Sequence, residues 1–495
     1  MKSKLLTCIY LLAIISGCAP KMSNKYQDIV RKPAVNDTMN ASKISKQEAL
    51  QDLDEVAKII KQNHSYIHTV DFNYQEALSE IKESLDDSVS VSVLALQIHK
   101  LVQHLGDSHA YVNNWMDLLP KQFAPAKYGI RNGRIFAYDL NVDSLLANQF
   151  PYVKSIDNVP IKKYFERAGA ISSGEGSSES SKFFRGRQLM QYIGFMRSEL
   201  GIAQGSTVEY VLESEDGLKE KKVVLPVSTK SDFTKPFGLT KVSSILPNNI
   251  GYLRMYSQND TVLLKSIDSL MISFKDTQAL IIDARQCGGG KRSNLQALFP
   301  YFMNMEDSPY IANVAKLRIP QDVSEFDPKG KLDVGDKKLK YIEDDDTTKD
   351  ELEALHRFLT DFEPAYEASN TDFTDWYFMA MTAKPGKFYY DKPVYLIMDF
   401  GVGSAGDIFV STFKNWRNVT LVGSPSNGRS GNSITTKLQH SGIPVRLSTM
   451  ISYQKDGGLF DWVGIQPDVN IEPEISDWLE ETDTVLDQVL IMANN

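Results

Sequence analysis

Residues 399–416 read Asp-Phe-Gly-Val-Gly-Ser-Ala-Gly-Asp-Ile-Phe-Val-Ser-Thr-Phe-Lys-Asn-Trp, and they restrict the fold more than any other stretch of the chain. The apolar, β-rich run at 394–398 ahead of them fits a buried strand. Ile408, Phe409, Thr412 and Phe413 then recur at helical spacing. Ser404 therefore falls on a glycine-flanked turn between a strand and a helix. Such a turn exposes a hydroxyl, and the N–H groups that open a helix, unpaired within it, face whatever that hydroxyl attacks. The competing reading is a tight turn whose glycines satisfy geometry and whose serine is a cap. Choosing between them requires the rest of the chain.

At 495 residues the chain exceeds one ordinary core, so two or three domains are expected. A hydrophobic content of 42% with 24% charged residues is that of a soluble globular protein, and a formal net charge of −9 argues against a nucleic-acid partner. The first 17 residues stand apart. Lys2 and Lys4 form a basic start, residues 5–15 are apolar but too few to span a membrane, and Ile15-Ser16-Gly17-Cys18 ends the run. This resembles a bacterial lipoprotein signal, with Cys18 as the lipid attachment and membrane anchoring in the cell envelope, periplasmic or outer-membrane-associated, as its implication. A plain secretory signal or an uncleaved anchor is the alternative. Removing Cys8 with the signal and committing Cys18 to lipid leaves Cys287 as the one thiol, so no internal disulfide is expected.

Residues 18–44 are polar, carry Pro20 and Pro33, and read as a linker. Residues 45–117 read as a helical bundle. Ser45 and Glu48 form a capping box ahead of Leu50, Leu53, Val56 and Ile60; two further apolar stripes follow, and Gly106 stops the last. Directly after that stop comes Asp107-Ser108-His109, a histidine in a turn beside a hydroxyl and a carboxylate. A surface or capping histidine is the plain alternative. His64 and His68, four apart, lack further ligands of metal-site spacing, and no metal is expected.

Residues 118–230 change to short strands and turns, with a hairpin about Asp216-Gly217 and a Gly/Ser/Glu-rich stretch at 174–182 that reads as a flexible loop. The texture resembles a PDZ-like β-rich module. Residues 231–495 form the expected α/β core. Within it, residues 279–283 are apolar on both faces and run into Arg285-Gln286-Cys287-Gly288-Gly289-Gly290, where glycines allow close approach of a ligand to backbone N–H groups. A long polar insertion at about 305–385 reads as a surface excursion or lid.

Four separated motifs agree in type and order: Gly106-Asp107-Ser108-His109, Asp283-Ala284-Arg285-Gln286-Cys287-Gly288-Gly289, Gly403-Ser404-Ala405-Gly406-Asp407 and Gly464-Ile465-Gln466-Pro467-Asp468. Together they resemble the tricorn and C-terminal-processing family of serine peptidases, from about Gln47 to the end. The resemblance implies a helical module, a PDZ-like region and a crotonase-like α/β catalytic core. It implies Ser404 as nucleophile, His109 with Ser108 beside it as the base of the tricorn-like branch, and Ala405 with Gly288 or Gly289 as oxyanion donors. Asp461 stands near the place of an acid that precedes the Gly-Ile-x-Pro-Asp motif, one carbon shorter than the usual glutamate. The processing branch uses a lysine in the loop where this chain has Arg429, and an arginine stays charged and cannot serve as a base. Cys287 replaces a common asparagine, which makes the glycine loop a question for the structure.

The implied activity is hydrolysis of a peptide or protein substrate through a Ser404 acyl-enzyme, without cofactor. The alternative is a weak or inactive member of the fold that binds peptides or apolar ligands. A β-lactamase-type serine hydrolase would need a lysine three residues after the serine, where Asp407 stands.

Overall fold

The computed structural model describes residues 24–35, 42–140, 144–174, 176–231, 241–320 and 337–494. The expected signal at 1–17 and Cys18 lie outside the described residues. Among the described residues, no helix is long and apolar enough to cross a membrane.

The centre of the molecule is a six-stranded sheet in the order Ser244–Leu246, Ile250–Arg254, Ala279–Asp283, Val394–Met398, Val419–Gly423, Val469–Asn470. Its first pair is antiparallel and every other pair is parallel. The apolar runs at 279–283 and 394–398 are neighbours, with Asp283 opposite Ile397. Both strands therefore end at the same edge of the sheet. Loops that follow adjacent parallel strands meet there, which brings the glycine loop and the Ser404 turn together across more than a hundred residues of chain.

A second sheet, antiparallel, runs Lys340–Tyr341, Tyr377–Met381, Tyr310–Leu317, Met450–Tyr453. It corrects the expectation of a surface excursion at 305–385. Seven of the eight residues in Tyr310–Leu317 are buried, and this strand pairs with one that follows the Ser404 region. The polar segments between the strands hid a buried element.

The helices Lys46–Asn63, Tyr74–Glu83 and Val91–Gln103 form the early helical part, the first behind the Ser45–Glu48 capping box. They share one apolar core with the antiparallel sheet of residues 126–226 and with Leu438, Val445 and Leu447. A three-stranded sheet adds the strand Tyr111–Val112 to Pro444–Ser448 and Ser433–Lys437, with Tyr111 opposite Arg446. The early helices are thereby bolted to the core beside His109. The preceding segment is also packed, since Tyr26 and Ile29 are buried against these helices.

Residues 174–182, expected as a flexible loop, include the cap and start of the helix Glu179–Leu189. Ser178 caps that helix, its hydroxyl also donates to the Asn427 carbonyl, and Ser180 donates to the Pro425 carbonyl at 3.1 Å. Serines suggest flexibility by composition, but here they terminate backbone donors and acceptors.

The crotonase-like core is likewise corrected. The parallel sheet does not stand alone as a catalytic unit: it shares one apolar core with a second, antiparallel sheet, and a strand borrowed from the first helical segment completes a third. The architecture this makes is identified below.

Candidate active site

Ser404 occupies the first turn position before the helix Ala405–Phe413 with φ 60° and ψ −122°, on the left-handed side that a non-glycine residue rarely adopts. Asp407 holds that conformation. Its carboxylate accepts the Ser404 N–H at 2.8 Å, the Arg429 N–H at 2.8 Å, the Gly428 N–H at 3.1 Å and the Ser426 hydroxyl. Burial pushes the Asp407 carboxyl up to about 6 against the pull of these donors. The sequence includes Asp407 in a motif but gives no sign of this anchoring part.

The glycine loop fits against the same turn. The Gly403 N–H donates to the Cys287 carbonyl at 3.1 Å, and a Cβ on Gly406 would lie 2.2 Å from that oxygen. A Cβ on Gly289 would lie 2.8 Å from the Ser404 Oγ. Only glycine lets the loop come this close. Cys287 is fully buried in the apolar core, its sulfur accepts from Gln258 Nε2 at 3.5 Å, and burial pushes its thiol up to about 12. The cysteine in the asparagine position is therefore a packing residue whose backbone carbonyl ties the loop to the turn. Ala405 is the first residue of its helix, so its N–H lies outside the helical ladder.

The histidine is built differently. After the helix Val91–Gln103, Gly106 turns the chain with φ 72°, packed so closely on Val70 that a Cβ would meet it at 2.5 Å. Asp107 then accepts the His109 N–H at 2.8 Å together with the Ser448 N–H at 3.0 Å and hydroxyl at 2.9 Å. His109 is buried, with Nδ1 3.9 Å from Asp461 Oδ1. Asp461 accepts from the Ser108 hydroxyl at 2.8 Å, the Tyr66 hydroxyl at 2.7 Å and the Ser430 N–H at 3.2 Å.

Burial pushes Asp461 up to about 8, with the Asp107 charge adding to it and the three donors opposing. Burial, then the charges of Arg429, Arg446 and Arg185, holds His109 well below the usual imidazole range. The imidazole is therefore neutral at neutral pH, the form that can accept a proton. Asp107, His109 and Asp461 bring ligand-type atoms within 4.8 Å of one another. They do not suit a cation, because hydroxyl and amide donors already occupy the carboxylates and arginine charge faces the imidazole.

Ser404, Gly288, Gly289 and Arg429 line one cavity of about 320 Å³. His109 is not in its lining. The 426–430 loop joins the two halves: the Arg429 N–H is held by Asp407, and the next N–H, of Ser430, is held by Asp461. A larger cavity of about 930 Å³ lies between the helix Ile161–Ser173 and the antiparallel sheet, away from Ser404. Sequence reasoning missed Tyr66 and the structural part of Asp107. Asp283 and Arg285 form a buried pair that Asp483 completes, at 2.7 Å for each closest contact, and so bolt the strand end to the C-terminal segment.

Residues 249–471 match the model of Peptidase family S41. A curated carboxy-terminal-processing protease of Bartonella bacilliformis is 27% identical over 108 residues, 22% of this chain; the match spans 25% of that relative's length. The solved structure of mature CPAF complexed with lactacystin superposes with a TM-score of 0.60 at 15% identity, covering 91% of this chain and 99% of that one. Mature CPAF alone gives the same score, over 91% and 98%. At this identity the likeness is one of fold. It replaces the crotonase-like expectation with the architecture of mature CPAF. Residues 249–471 thus carry the sequence pattern of Peptidase family S41, and the chain as a whole shares its fold with mature CPAF.

Proposed function

We propose that this protein is a lipid-anchored peptidase of the bacterial cell envelope that hydrolyses peptide bonds through an acyl-enzyme on Ser404. His109, its Nδ1 turned to Asp461, takes the Ser404 proton at Nε2 as the hydroxyl attacks the scissile carbonyl. The N–H groups of Ala405 and of Gly289 or Gly288 stabilise the resulting oxyanion, which is worth about 10²–10³ in rate per donor. His109 then returns the proton to the leaving amine and activates the water that releases the acyl group. Ser108 and Tyr66 fix Asp461, and Asp461 with the Asp107 anchor fixes the histidine. Cys18 carries the lipid and holds the protein at the membrane.

The observation that carries this reading is the approach of the glycine loop to Ser404, close enough that one methyl group on Gly289 would stand 2.8 Å from the hydroxyl. A packing turn has no need of such an approach; a nucleophile beside its oxyanion donors does. The test is digestion of a denatured protein mixture by the signal-free chain, with peptides read by mass spectrometry. New termini with the native protein and none with Ser404→Ala are expected; termini that persist in Ser404→Ala would refute the assignment.

The 3.9 Å between His109 Nδ1 and Asp461 Oδ1 favours a second reading, a weak or inactive member that binds peptides without cutting them. Catalytic hydrogen bonds are commonly long before substrate binds, which keeps the peptidase reading first.

A further inference from the structure

The cavity that holds Ser404 is lined by two arginines, Arg187 and Arg429, and by no aspartate or glutamate among the described residues. Arg187 is 7% exposed, its Nε is buried without a hydrogen-bond partner, and Arg429 Nε is in the same condition. Three other buried arginines among the described residues are matched by carboxylates. Arg197 meets Asp157 at 2.8 Å, Arg285 meets Asp283 at 2.7 Å, and Arg318 meets Asp372 at 3.4 Å. A guanidinium removed from water without a carboxylate is costly. Arg292 is also buried without a carboxylate, but its guanidinium donates to Asn313 Oδ1 at 3.0 Å; Arg187 and Arg429 share one cavity, and that cavity contains Ser404.

Asp399 acts through space on Arg187, and Asp461 and Asp407 on Arg429, but none accepts a hydrogen bond from either guanidinium, and the surroundings orient both groups. The Arg187 guanidinium stacks 5.3 Å from the Phe184 ring and 6.0 Å from the Trp478 ring, which fixes its plane and leaves its N–H groups unpaired. Helix Glu179–Leu189 carries it, and that helix is docked on the 425–427 loop by Ser178 and Ser180. Arg429 is held by its backbone N–H on Asp407, the residue that also holds the Ser404 N–H. Both positions are rigidly tied to the nucleophile turn.

We infer that this cavity binds a carboxylate of the substrate, placed within a residue or two of the scissile bond by Arg187 and Arg429. The inference rests on the peptidase reading of Ser404 and adds the substrate class. The carboxylate has two sources: the free C-terminus of a peptide cut near its end, or an aspartate or glutamate side chain beside an internal cut.

Three synthetic libraries of acetylated decapeptides separate them: one with free C-termini and no acidic residues, one amidated with Asp and Glu, one amidated with Asn and Gln in their place. Cleavage by the signal-free protein is followed by mass spectrometry, and binding to Ser404→Ala by calorimetry. A carboxylate-bearing library is expected to be cut about 10–100-fold faster than the neutral one, the loss anticipated for a charge-assisted hydrogen bond. Whichever library leads names the source. Arg187→Gln and Arg429→Gln should erase the preference, and Arg187→Lys should keep part of it, with circular dichroism confirming that each variant folds. Equal cleavage of all three libraries, or a preference unchanged in both glutamine variants, overturns the inference while the peptidase reading stands. If nothing is cut but Ser404→Ala still prefers carboxylate peptides in an arginine-dependent way, the peptidase reading falls and the carboxylate site stands. No cleavage and no binding preference overturns both.

Discussion

The two halves of the candidate site are made by opposite means. The serine half is local in construction: one strand, one turn and one helix set Ser404, and a loop from the adjacent parallel strand closes on it. The histidine half is assembled from afar, for Ser108 and Asp461 are 353 residues apart, and Tyr66 and Asp461 395. The first is fixed by backbone contacts that leave little room for adjustment. The second depends on buried polar side chains brought together by packing of the early helices on the core. On the proposed reading, such a site separates the surroundings of its nucleophile from the control of its base.

That difference can be tested by substitution. Ser404→Ala should remove hydrolysis almost wholly, a loss of roughly 10⁴–10⁶ in kcat measured on any peptide found to be cut. His109→Ala should follow at about 10⁴, with a rate that no longer depends on pH in the acid range. Equal residual rates in the two variants and in their double mutant would mark the halves as one unit. Gly289→Ala should cost about 10²–10³ in kcat while Tm stays within a few degrees, because the methyl group intrudes at the hydroxyl and loop movement shifts the N–H donors.

A smaller effect is expected on the histidine side. Tyr66→Phe removes one of three donors to Asp461, and about 5–10-fold in kcat should go with it, matching about 1–1.5 kcal/mol for the lost bond. Smallest in magnitude is a displacement of pH dependence. His109 has a lowered pKa, so its neutral, proton-accepting form persists through neutral pH and is lost only as pH falls through that lowered value. The acid limb of kcat/KM should therefore lie below the pH of about 6.5 at which an unperturbed histidine titrates. Arg429→Gln removes the largest charge acting on the imidazole and should move that limb upward.

Legibility in the sequence follows the same division. Ser404 could be found because a strand, a glycine turn and a helix are consecutive, and local patterns are what a sequence displays. Gly288 and Gly289 were visible as a glycine run after a buried strand. His109 stood out by its polar turn and by the resemblance, whereas Asp461 was placed only approximately and Tyr66 not at all. Nothing near Tyr66 in the chain announces a partner 395 residues on. Residues 305–385 and 174–182 were misread for a related reason: their polar composition suggested surface, while the structure places a buried strand in the first and helix-capping serines in the second. The core's architecture was misassigned because the motifs report one sheet edge, and the antiparallel sheet and borrowed strand that complete it leave no motif.

The central claim is that His109 activates Ser404. It is tested most directly by the rate of fluorophosphonate labelling of the signal-free protein between pH 5 and pH 8, beside Ser404→Ala and His109→Ala. The account predicts rapid labelling of the native protein that fails only toward the acid end, none in Ser404→Ala, and slow, pH-insensitive labelling in His109→Ala. Labelling of folded His109→Ala at the native rate would contradict it.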